Sequence, residues 1–364
     1  MDEIKIGIIG VRLQGNDHLR ALHTIITENY FEENISIRLM ALCDIDENLL
    51  EEKKIEYPNI PHFFTDYRDL LKCDDINTVY IVTPTAFHHE MFLAAAKAGK
   101  HIFCEKPLTD TIEKIDDMIK ARDEAGIICQ VGLVLRYEPT FWYLKKKIED
   151  QIEKWGCLQN VIFRDDQTKP YTGTGTHPSK WRKDPNLAYY GTLFEHSIHD
   201  IDILMWLFGD IKDVFAKVKY FANIHPIEDS VSALFELDNG ASVSLNSIWH
   251  NVEHDNRHIE LFFENAFLLI SFGHSSSISF NERGEKKIKI RDTKMDKMYR
   301  EAMSLSSHER FALGGYGYEN FAFLRALIED KKASPSLEDA KKAHLVVNAC
   351  YRSSKEQKLI NLQL

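Results

Sequence analysis

A lysine that directly follows an apolar run is the residue of this chain best suited to chemistry. Two apolar runs, 79–82 and 102–104, each stop abruptly at polar side chains. The residues after these runs are Thr83, Pro84, His88, Glu105 and Lys106. Parallel strands end at the edge of a sheet where α/β proteins bind ligands. Lys106 in its Glu-Lys-Pro frame therefore predicts a functional cation that stabilises a developing oxyanion, with a structural ion pair as the alternative.

A glycine pattern near the N-terminus indicates a dinucleotide site. The segment Ile6-Gly-Ile-Ile-Gly-Val-Arg-Leu-Gln-Gly15 has the G-x-G-x-x-G spacing, with Arg12 in place of the second glycine. Gly10 would make the tight turn, Gly15 would let the following helix pack closely on the strand, and the helix N-terminus would hold pyrophosphate. Arg12 must then point away from the phosphates, or the dinucleotide sits differently.

An acidic residue ends the second predicted strand. Asp44 follows Ala41-Leu-Cys43, where an acidic side chain normally binds the ribose hydroxyls and disfavours a 2′-phosphate, so it favours NAD. Two alternatives stay open. Asp44 could cap the next helix, and Arg12 could reach the adenosine end, which leaves NADP possible.

The third candidate cluster is Gly191-Thr-Leu-Phe-Glu-His-Ser-Ile-His-Asp-Ile-Asp202. A helix over 192–208 would place Glu195 and His199 on one face, with Asp202 one turn further on. Such a carboxylate can orient an imidazole for proton transfer near neutral pH. A zinc site from His196, His199 and Asp202 is disfavoured, because no cysteine or third histidine is spaced to join them; we expect no metal.

Two domains must position these residues. Residues 1–135 alternate short apolar strands with helical stretches, which predicts a doubly wound parallel sheet for dinucleotide binding. In residues 136–364, the alternating pattern over 212–290 predicts an antiparallel sheet with one buried face, in a domain for substrate binding and oligomerisation. A Thr-, Gly- and Pro-rich loop over 167–178 is expected to cover the site.

Composition and net charge limit the classes of partner that we expect for this protein. The 364 residues carry a net charge of −11, which argues against nucleic acid or an anionic membrane surface as a partner. Apolar runs fall short of a membrane span. Six scattered cysteines read as reduced thiols, and the N-terminus runs straight into a strand without a signal peptide. A cytoplasmic protein is expected.

These motifs together resemble the glucose–fructose oxidoreductase / inositol dehydrogenase (Gfo/Idh/MocA) family over essentially the whole chain. The glycine turn, Thr83-Pro84 with His88, Glu105-Lys106-Pro107, Trp181-Arg182, the Glu195–Asp202 segment and Ala349-Cys-Tyr-Arg-Ser-Ser354 occur in family order. The resemblance implies a Rossmann domain and an α/β domain with an open, mainly antiparallel sheet. It also implies NAD(P)-dependent hydride transfer on a hydroxyl carbon of a sugar, polyol or related compound.

The resemblance also assigns roles by position. Lys106 is the catalytic lysine, His199 transfers the proton, and Glu195 supports it where many members have Asp. Cofactor-lining positions are Gly10, Arg12, Leu13, Gly15, Asp44, Thr83, Pro84, His88, Glu105 and Lys106, with Arg136, Trp181 and Arg182 near the nicotinamide and the substrate. An exposed sheet face would make a homo-oligomer. A cofactor-retaining non-redox enzyme, such as an NAD-dependent glycosidase, and a non-catalytic NAD-sensing protein remain alternatives.

Overall fold

The chain folds into two compact units. The computed structural model describes residues 3–31, 35–173, 178–252, 255–273, 275–305 and 314–362. One unit comprises Met1–Val134 and Phe311–Lys341, and the other comprises Leu135–Arg310 and Lys342–Leu364. The domain boundary predicted from the sequence, between residues 135 and 136, lies one residue from the boundary between the units in the structure. The prediction did not assign Phe311–Lys341 to the first unit. Periodicity along the chain carries no sign of that return.

The first unit is built on a six-stranded parallel sheet. Its elements in chain order are β1 (Glu3–Ile9), α1 (Leu13–Thr27), β2 (Ser36–Cys43), α2 (Glu47–Glu56), β3 (His62–Phe64), α3 (Tyr67–Leu71), β4 (Thr78–Ile81), α4 (His88–Lys97), β5 (His101–Glu105), α5 (Ile112–Ala125), β6 (Cys129–Gly132) and the returning helix α11 (Gly315–Ile328). The strand order is β3-β2-β1-β4-β5-β6. This is the order of a Rossmann fold, so the predicted doubly wound sheet is confirmed.

Local sequence explains how the helices of this unit begin and end. Asp46 accepts hydrogen bonds from the first backbone amides of α2, and Thr111 caps α5 in the same way. Gly126 ends α5 in the left-handed conformation, with φ of 63°. Helix α1 differs, because Arg12 at its N-cap makes no side-chain capping bond. The N-terminus of α1 is therefore not closed by a side chain, as an anion site at a helix end requires.

The second unit is built on a nine-stranded sheet. Its elements in chain order are α6 (Pro139–Trp155), β7 (Leu158–Thr168), α7 (Pro185–Ala188), α8 (Thr192–Glu195), α9 (Ile198–Phe208), β8 (Ile211–Lys219), β9 (Ser230–Leu237), β10 (Ser242–His250), β11 (Asn256–Phe263), β12 (Ala266–Phe272), β13 (Ser277–Glu282), β14 (Ile288–Arg291), α10 (Asp292–Ala302) and β15 (Ile360–Asn361). The order is β14-β13-β12-β11-β7-β10-β9-β8-β15. Only β7 and β10 of the described pairs run parallel, so the predicted mainly antiparallel sheet is confirmed.

Two expectations for the second unit need correction. The single helix over 192–208 is wrong, because His196 and Ser197 separate α8 from α9. The loop over 167–178 begins later than expected, since β7 continues to Thr168 and a 3-10 turn follows over Pro170–Thr172. Residues 174–177 lie outside the described part of the chain.

The last long helix is α12 (Leu337–Glu356). Its Leu337 and Ala340 join the apolar core of the first unit, whereas Val346 and Val347 join that of the second. All six cysteines carry free thiols, as expected. Among the described residues, no helix combines the length and the apolar character needed to span a bilayer.

Candidate active site

The predicted phosphate turn is shaped by two glycines that cannot carry side chains. Gly10 has a φ of +86°, and a Cβ there would lie 2.5 Å from the carbonyl oxygen of Val82. A Cβ on Gly15 would lie 1.9 Å from the carbonyl oxygen of Gly10. Helix α1 therefore rests directly on the end of β1, with Leu13 and Gly15 in its first turn. This close approach is the packing role that the glycine spacing predicts.

Asp44 lies beside this turn at the end of β2. Its carboxylate accepts hydrogen bonds from the backbone N–H of Val11 at 3.1 Å and of Asp46 at 3.1 Å. The helix cap is Asp46, so the alternative that Asp44 caps α2 is wrong. The Arg12 guanidinium reaches the same place, with Nη2 2.6 Å from Asp46 and Nε 3.8 Å from Asp44. Arg12 thus points toward the carboxylates that follow β2.

The residues after β4 and β5 are tied to each other through His88. Its buried ring has Nδ1 2.8 Å from the carbonyl oxygen of Pro107 and Nε2 2.8 Å from that of Thr83. The histidine predicted to line the cofactor therefore joins the Thr83-Pro84 turn to the Lys106-Pro107 turn through backbone carbonyls.

The Glu105 side chain contacts the backbone of Lys106. Its Oε2 accepts the backbone N–H of Lys106 at 3.1 Å, and its Oε1 lies 3.0 Å from Nε2 of His18. Lys106, Glu105 and His18 are all buried, at 7%, 3% and 0% exposure. His18 was missed in the sequence. It lies on the inner face of α1 with Leu22 and Ile25, so helical periodicity could have flagged it as a buried polar residue.

In the second unit, a buried aspartate draws the chain between α8 and α9 onto the sheet. Asp165 of β7 accepts a hydrogen bond from the Ser197 hydroxyl, at 2.5 Å, and its other oxygen lies 3.1 Å from Nε2 of His196. Ser197 also bonds to Ser247 of β10. These contacts account for the helix break, because satisfying buried polar groups outweighs helix continuity at this point.

The break changes the relation between the predicted catalytic side chains. Glu195 ends α8 and His199 lies in the first turn of α9, so the expectation that they share one helical face is wrong. Glu195 accepts a hydrogen bond from Nε of Arg182 at 3.1 Å. The Arg182 guanidinium also donates to Ser179 and lies 4.7 Å from the ring centre of Trp181. Glu195, Arg182 and Trp181 thus form one polar and aromatic group in this unit.

Asp202 forms an ion pair with Arg136. Its two carboxylate oxygens accept hydrogen bonds from Nε and Nη2 of Arg136, at 2.8 and 2.5 Å. Both side chains are largely buried. The bidentate pair fixes the start of the second unit against α9.

A second arginine, also missed in the sequence, lies beneath the helix break. Arg257 of β11 donates to Asp200 at 2.7 Å, and its Nη2 lies 2.9 Å from Nε2 of His196. Burial opposes ionisation of Asp165, but the charges of Arg257 and His196 outweigh it and lower the pKa of Asp165. Burial raises the pKa of Asp200. His196 is therefore part of a buried ion network on the sheet.

Two family models match the chain. A model described as "Oxidoreductase family, NAD-binding Rossmann fold" covers residues 4–133, and the GFO/IDH/MocA C-terminal domain covers residues 153–268. The chain belongs to the Gfo/Idh/MocA oxidoreductase family. The resemblance inferred from the motifs is thereby confirmed, and NAD is the cofactor of the first unit.

Named relatives agree with this membership. Levoglucosan dehydrogenase of Pseudarthrobacter phenanthrenivorans is 25% identical over 100% of this chain and 99% of its own. Inositol 2-dehydrogenase/D-chiro-inositol 3-dehydrogenase of Lactiplantibacillus plantarum is 27% identical over 60% of this chain and 55% of its own. Among solved structures, an oxidoreductase domain protein from Kribbella flavida superposes with a TM-score of 0.85 at 23% identity, covering 100% of both chains. A levoglucosan dehydrogenase complex with NADH gives 0.83 at 21%, covering 99% of both.

In this Gfo/Idh/MocA oxidoreductase, a buried glutamate holds the segment that carries Glu195. Glu228 accepts hydrogen bonds from the backbone N–H of Gly191 at 2.7 Å and of Leu193 at 2.9 Å, and from the Tyr351 hydroxyl at 2.9 Å. A Cβ on Gly191 would lie 1.8 Å from the carbonyl oxygen of Glu228. Burial raises the pKa of Glu228 to about 7 despite these donors.

Because the pKa of Glu228 is raised, we expect the protein to become less stable as the pH rises. The folded state favours protonated Glu228, so its contribution is full below the ordinary value of 4.5 and is lost as pH rises through about 7. We expect the free energy of unfolding of the Gfo/Idh/MocA oxidoreductase to drop by about 3 kcal/mol from this group across that window. Melting temperatures of the wild type and Glu228→Gln between pH 5 and 8 check it. Exposed Glu153→Gln is the control, and parallel curves for wild type and Glu228→Gln would contradict the expectation.

Proposed function

We propose that the protein is an NAD-dependent dehydrogenase that oxidises a CH–OH group of a sugar, a polyol or a related compound. The observation that carries the proposal is Lys106, a buried lysine at the carboxyl end of a strand in an NAD-binding sheet, with its backbone amide held by Glu105. A buried lysine at this position indicates a functional role, whereas an exposed surface lysine would not.

The residues of the first unit fit NAD. Gly10 and Gly15 let α1 pack directly on the end of β1, and no side chain caps the N-terminus of α1. A carboxylate can accept about four hydrogen bonds, so the two backbone donors on Asp44 leave capacity for ribose hydroxyls. NAD, when bound, supplies the hydride acceptor.

The protein's own side chains handle the proton and the charge. His199 accepts the hydroxyl proton while the carbinol carbon gives up its hydride, so alcohol and NAD⁺ become ketone, NADH and a proton. Lys106 stays charged and stabilises the developing alkoxide. Glu195 is held by Arg182, and the pair contributes a donor and an acceptor without net charge. A neutral polyhydroxy compound suits such a pair better than an anion does.

The substrate class rests on the relatives. Relatives of this chain are named for oxidising levoglucosan and inositol, and levoglucosan dehydrogenase has been crystallised with levoglucosan and with L-sorbose. These substrates share several neutral hydroxyls on a small ring or chain. We therefore expect activity in a screen of sugars, anhydrosugars and cyclic polyols, read as reduced nicotinamide. A non-redox enzyme that retains its cofactor would consume substrate without net NADH.

The role of Lys106 is tested by Lys106→Met, which keeps the length and removes the charge. Turnover of the best substrate from the screen should fall by at least about two orders of magnitude, or about 2.7 kcal/mol of barrier, with little change in melting temperature. Lys97→Met, at an exposed lysine on α4, is the matched control. If Lys106→Met unfolds while its remaining activity is near normal, Lys106 is a structural ion-pair partner instead.

The preference for NAD is tested at the adenosine end. Asp44 should disfavour NADP by electrostatic repulsion, so calorimetry should show tighter binding of NAD⁺ than of NADP⁺. Asp44→Asn should narrow the difference, whereas Arg12→Gln, which removes the partner of Asp46, should leave it in place. Equal or tighter binding of NADP⁺, reversed by Arg12→Gln, would show that Arg12 governs this end of the site.

The role of His199 is tested by the pH profile of oxidation. A general base must be neutral, so the rate should fall as pH drops and the imidazole takes up a proton. His199→Asn should lower the plateau by about two orders of magnitude and remove the acidic limb. His258→Asn, on β11 of the same unit, is the control. An acidic limb that survives in His199→Asn would assign proton transfer to another group.

We also propose that the protein forms a homo-oligomer through one face of its nine-stranded sheet. Phe215, Leu234, Ser244 and Ile162 stand next to one another across four strands on that face. Leu234 is 58% exposed and Ile162 38%. An apolar patch of this kind on a flat sheet marks an interaction surface.

Light scattering after size exclusion tests the oligomer. The wild type should be larger than a 42.2 kDa monomer, and Leu234→Lys should shift it toward monomer. The control is Ile288→Lys, at a comparably exposed residue of the edge strand β14. A monomeric wild type, or an unchanged mass in Leu234→Lys, would contradict an interface on this face.

A further inference from the structure

One completely buried histidine of the first unit has no part in the function proposed so far. His18 lies on α1 between β5 and α11 and is 0% exposed. Its Nε2 is 3.0 Å from Oε1 of Glu105, and its Nδ1 is 3.2 Å from Oδ1 of Asn320. The helix that carries the phosphate turn, the strand that ends at Lys106 and the returning helix α11 thus meet at one imidazole.

Both ring nitrogens of His18 face acceptors. The Asn320 amide donates from Nδ2 to the carbonyl oxygen of Tyr316 at 2.7 Å, so its Oδ1 is turned to the imidazole and accepts. The other nitrogen faces the Glu105 carboxyl, whose second oxygen accepts the Lys106 N–H. With Glu105 ionised, both contacts are hydrogen bonds only when both ring nitrogens of His18 carry a proton.

The remaining groups around the ring favour a cation. Glu319 of α11 also lies close to the ring. One ring nitrogen of His18 and one carboxylate oxygen each of Glu105 and Glu319 lie within 4.8 Å of one another. The aromatic neighbours Tyr80 and Tyr316 lie 5.7 and 5.1 Å away between ring centres. Burial raises the pKa of both phenols well above its ordinary value, so neither carries charge. A positive ring offsets the buried carboxylates.

The Glu105 carboxylate has little freedom to move. A Cβ on Gly132 of β6 would lie 2.6 Å from Oε1 of Glu105, so the carboxylate fills the space that a side chain would occupy there. With His18 on one oxygen and the Lys106 amide on the other, the carboxylate transmits the position of the imidazole to the backbone of Lys106.

We propose that His18 is a positioning residue: its doubly protonated imidazolium, oriented by Asn320, holds Glu105 and through it the backbone of Lys106. The inference rests on the proposed function, in which Lys106 is the catalytic lysine.

Amide hydrogen exchange of the full chain tests the positioning without an activity assay. In His18→Gln a single amide nitrogen replaces the two ring nitrogens that face Asn320 and Glu105, and exchange in the peptide that contains Lys106 should be about tenfold faster. His23→Gln, at an exposed histidine one turn further along α1, is the control and should change it less than about twofold. Exchange at the wild-type rate in His18→Gln would overturn the proposal.

Kinetics separate this inference from the proposed function. With a substrate from the screen, His18→Gln should lower kcat about tenfold while KM for NAD changes less than about twofold. If the protein oxidises no compound in the screen, the proposed function fails, but the exchange result still decides the positioning. A normal kcat combined with faster exchange would show that the contact is structural only, which also overturns the proposal.

Nitrogen NMR of the chain labelled in histidine decides the protonation state. The signal assigned by its loss in His18→Gln should show protons on both ring nitrogens at neutral pH. If His18→Gln does not fold, Asn320→Leu removes one acceptor and leaves His18 in place, and exchange at Lys106 should again rise, whereas Asn320→Asp should retain the wild-type rate. A bare ring nitrogen in the wild type, or equal exchange in the two Asn320 variants, would overturn the proposal.

Discussion

The close approach of α1 to the end of β1 is the constraint on which the first unit depends. A methyl group on Gly15 would lie 1.9 Å from the carbonyl oxygen of Gly10, so the helix can take its place only without a side chain there. That placement brings His18, three residues further along, against Glu105. The glycine turn and the contact of His18 with Glu105, which accepts the Lys106 amide, are therefore consequences of the same helix contact.

The second unit depends on a different constraint, the satisfaction of buried charge. Asp165 and Asp200 are both fully buried beside Arg257, and removing one member of such a network leaves another charge without compensation. The helix is interrupted at His196 and Ser197 because these two residues contact the Asp165 carboxylate. The position of His199 thus follows from the chemistry of β7 and β11, and not from helix propensity.

Local pattern was sufficient to predict five of the six strands of the first unit and the polar residues at the ends of β4 and β5, but the short strand β3 (His62–Phe64) was missed. An apolar run that stops at Thr83 or at Glu105 marks both the element and its edge. Asn320 could not be predicted as a partner of His18, because the two are separated by 302 positions. The break between α8 and α9 escaped for the same reason, since its cause lies 31 residues before His196 and 50 residues after Ser197.

The two units differ in how much of their polar chemistry is already committed within the fold. In the first unit, His88 and Glu105 bind backbone groups next to Lys106, so a change in either alters the geometry of the lysine. In the second unit, Trp181 and Arg182 lie in a 3-10 turn outside the sheet ladder. Binding residues occur more often on such connecting segments than on the strands of the sheet. We therefore propose that the choice of substrate in this chain depends on the Trp181–Arg182 turn and on Glu195, which accepts a hydrogen bond from Arg182.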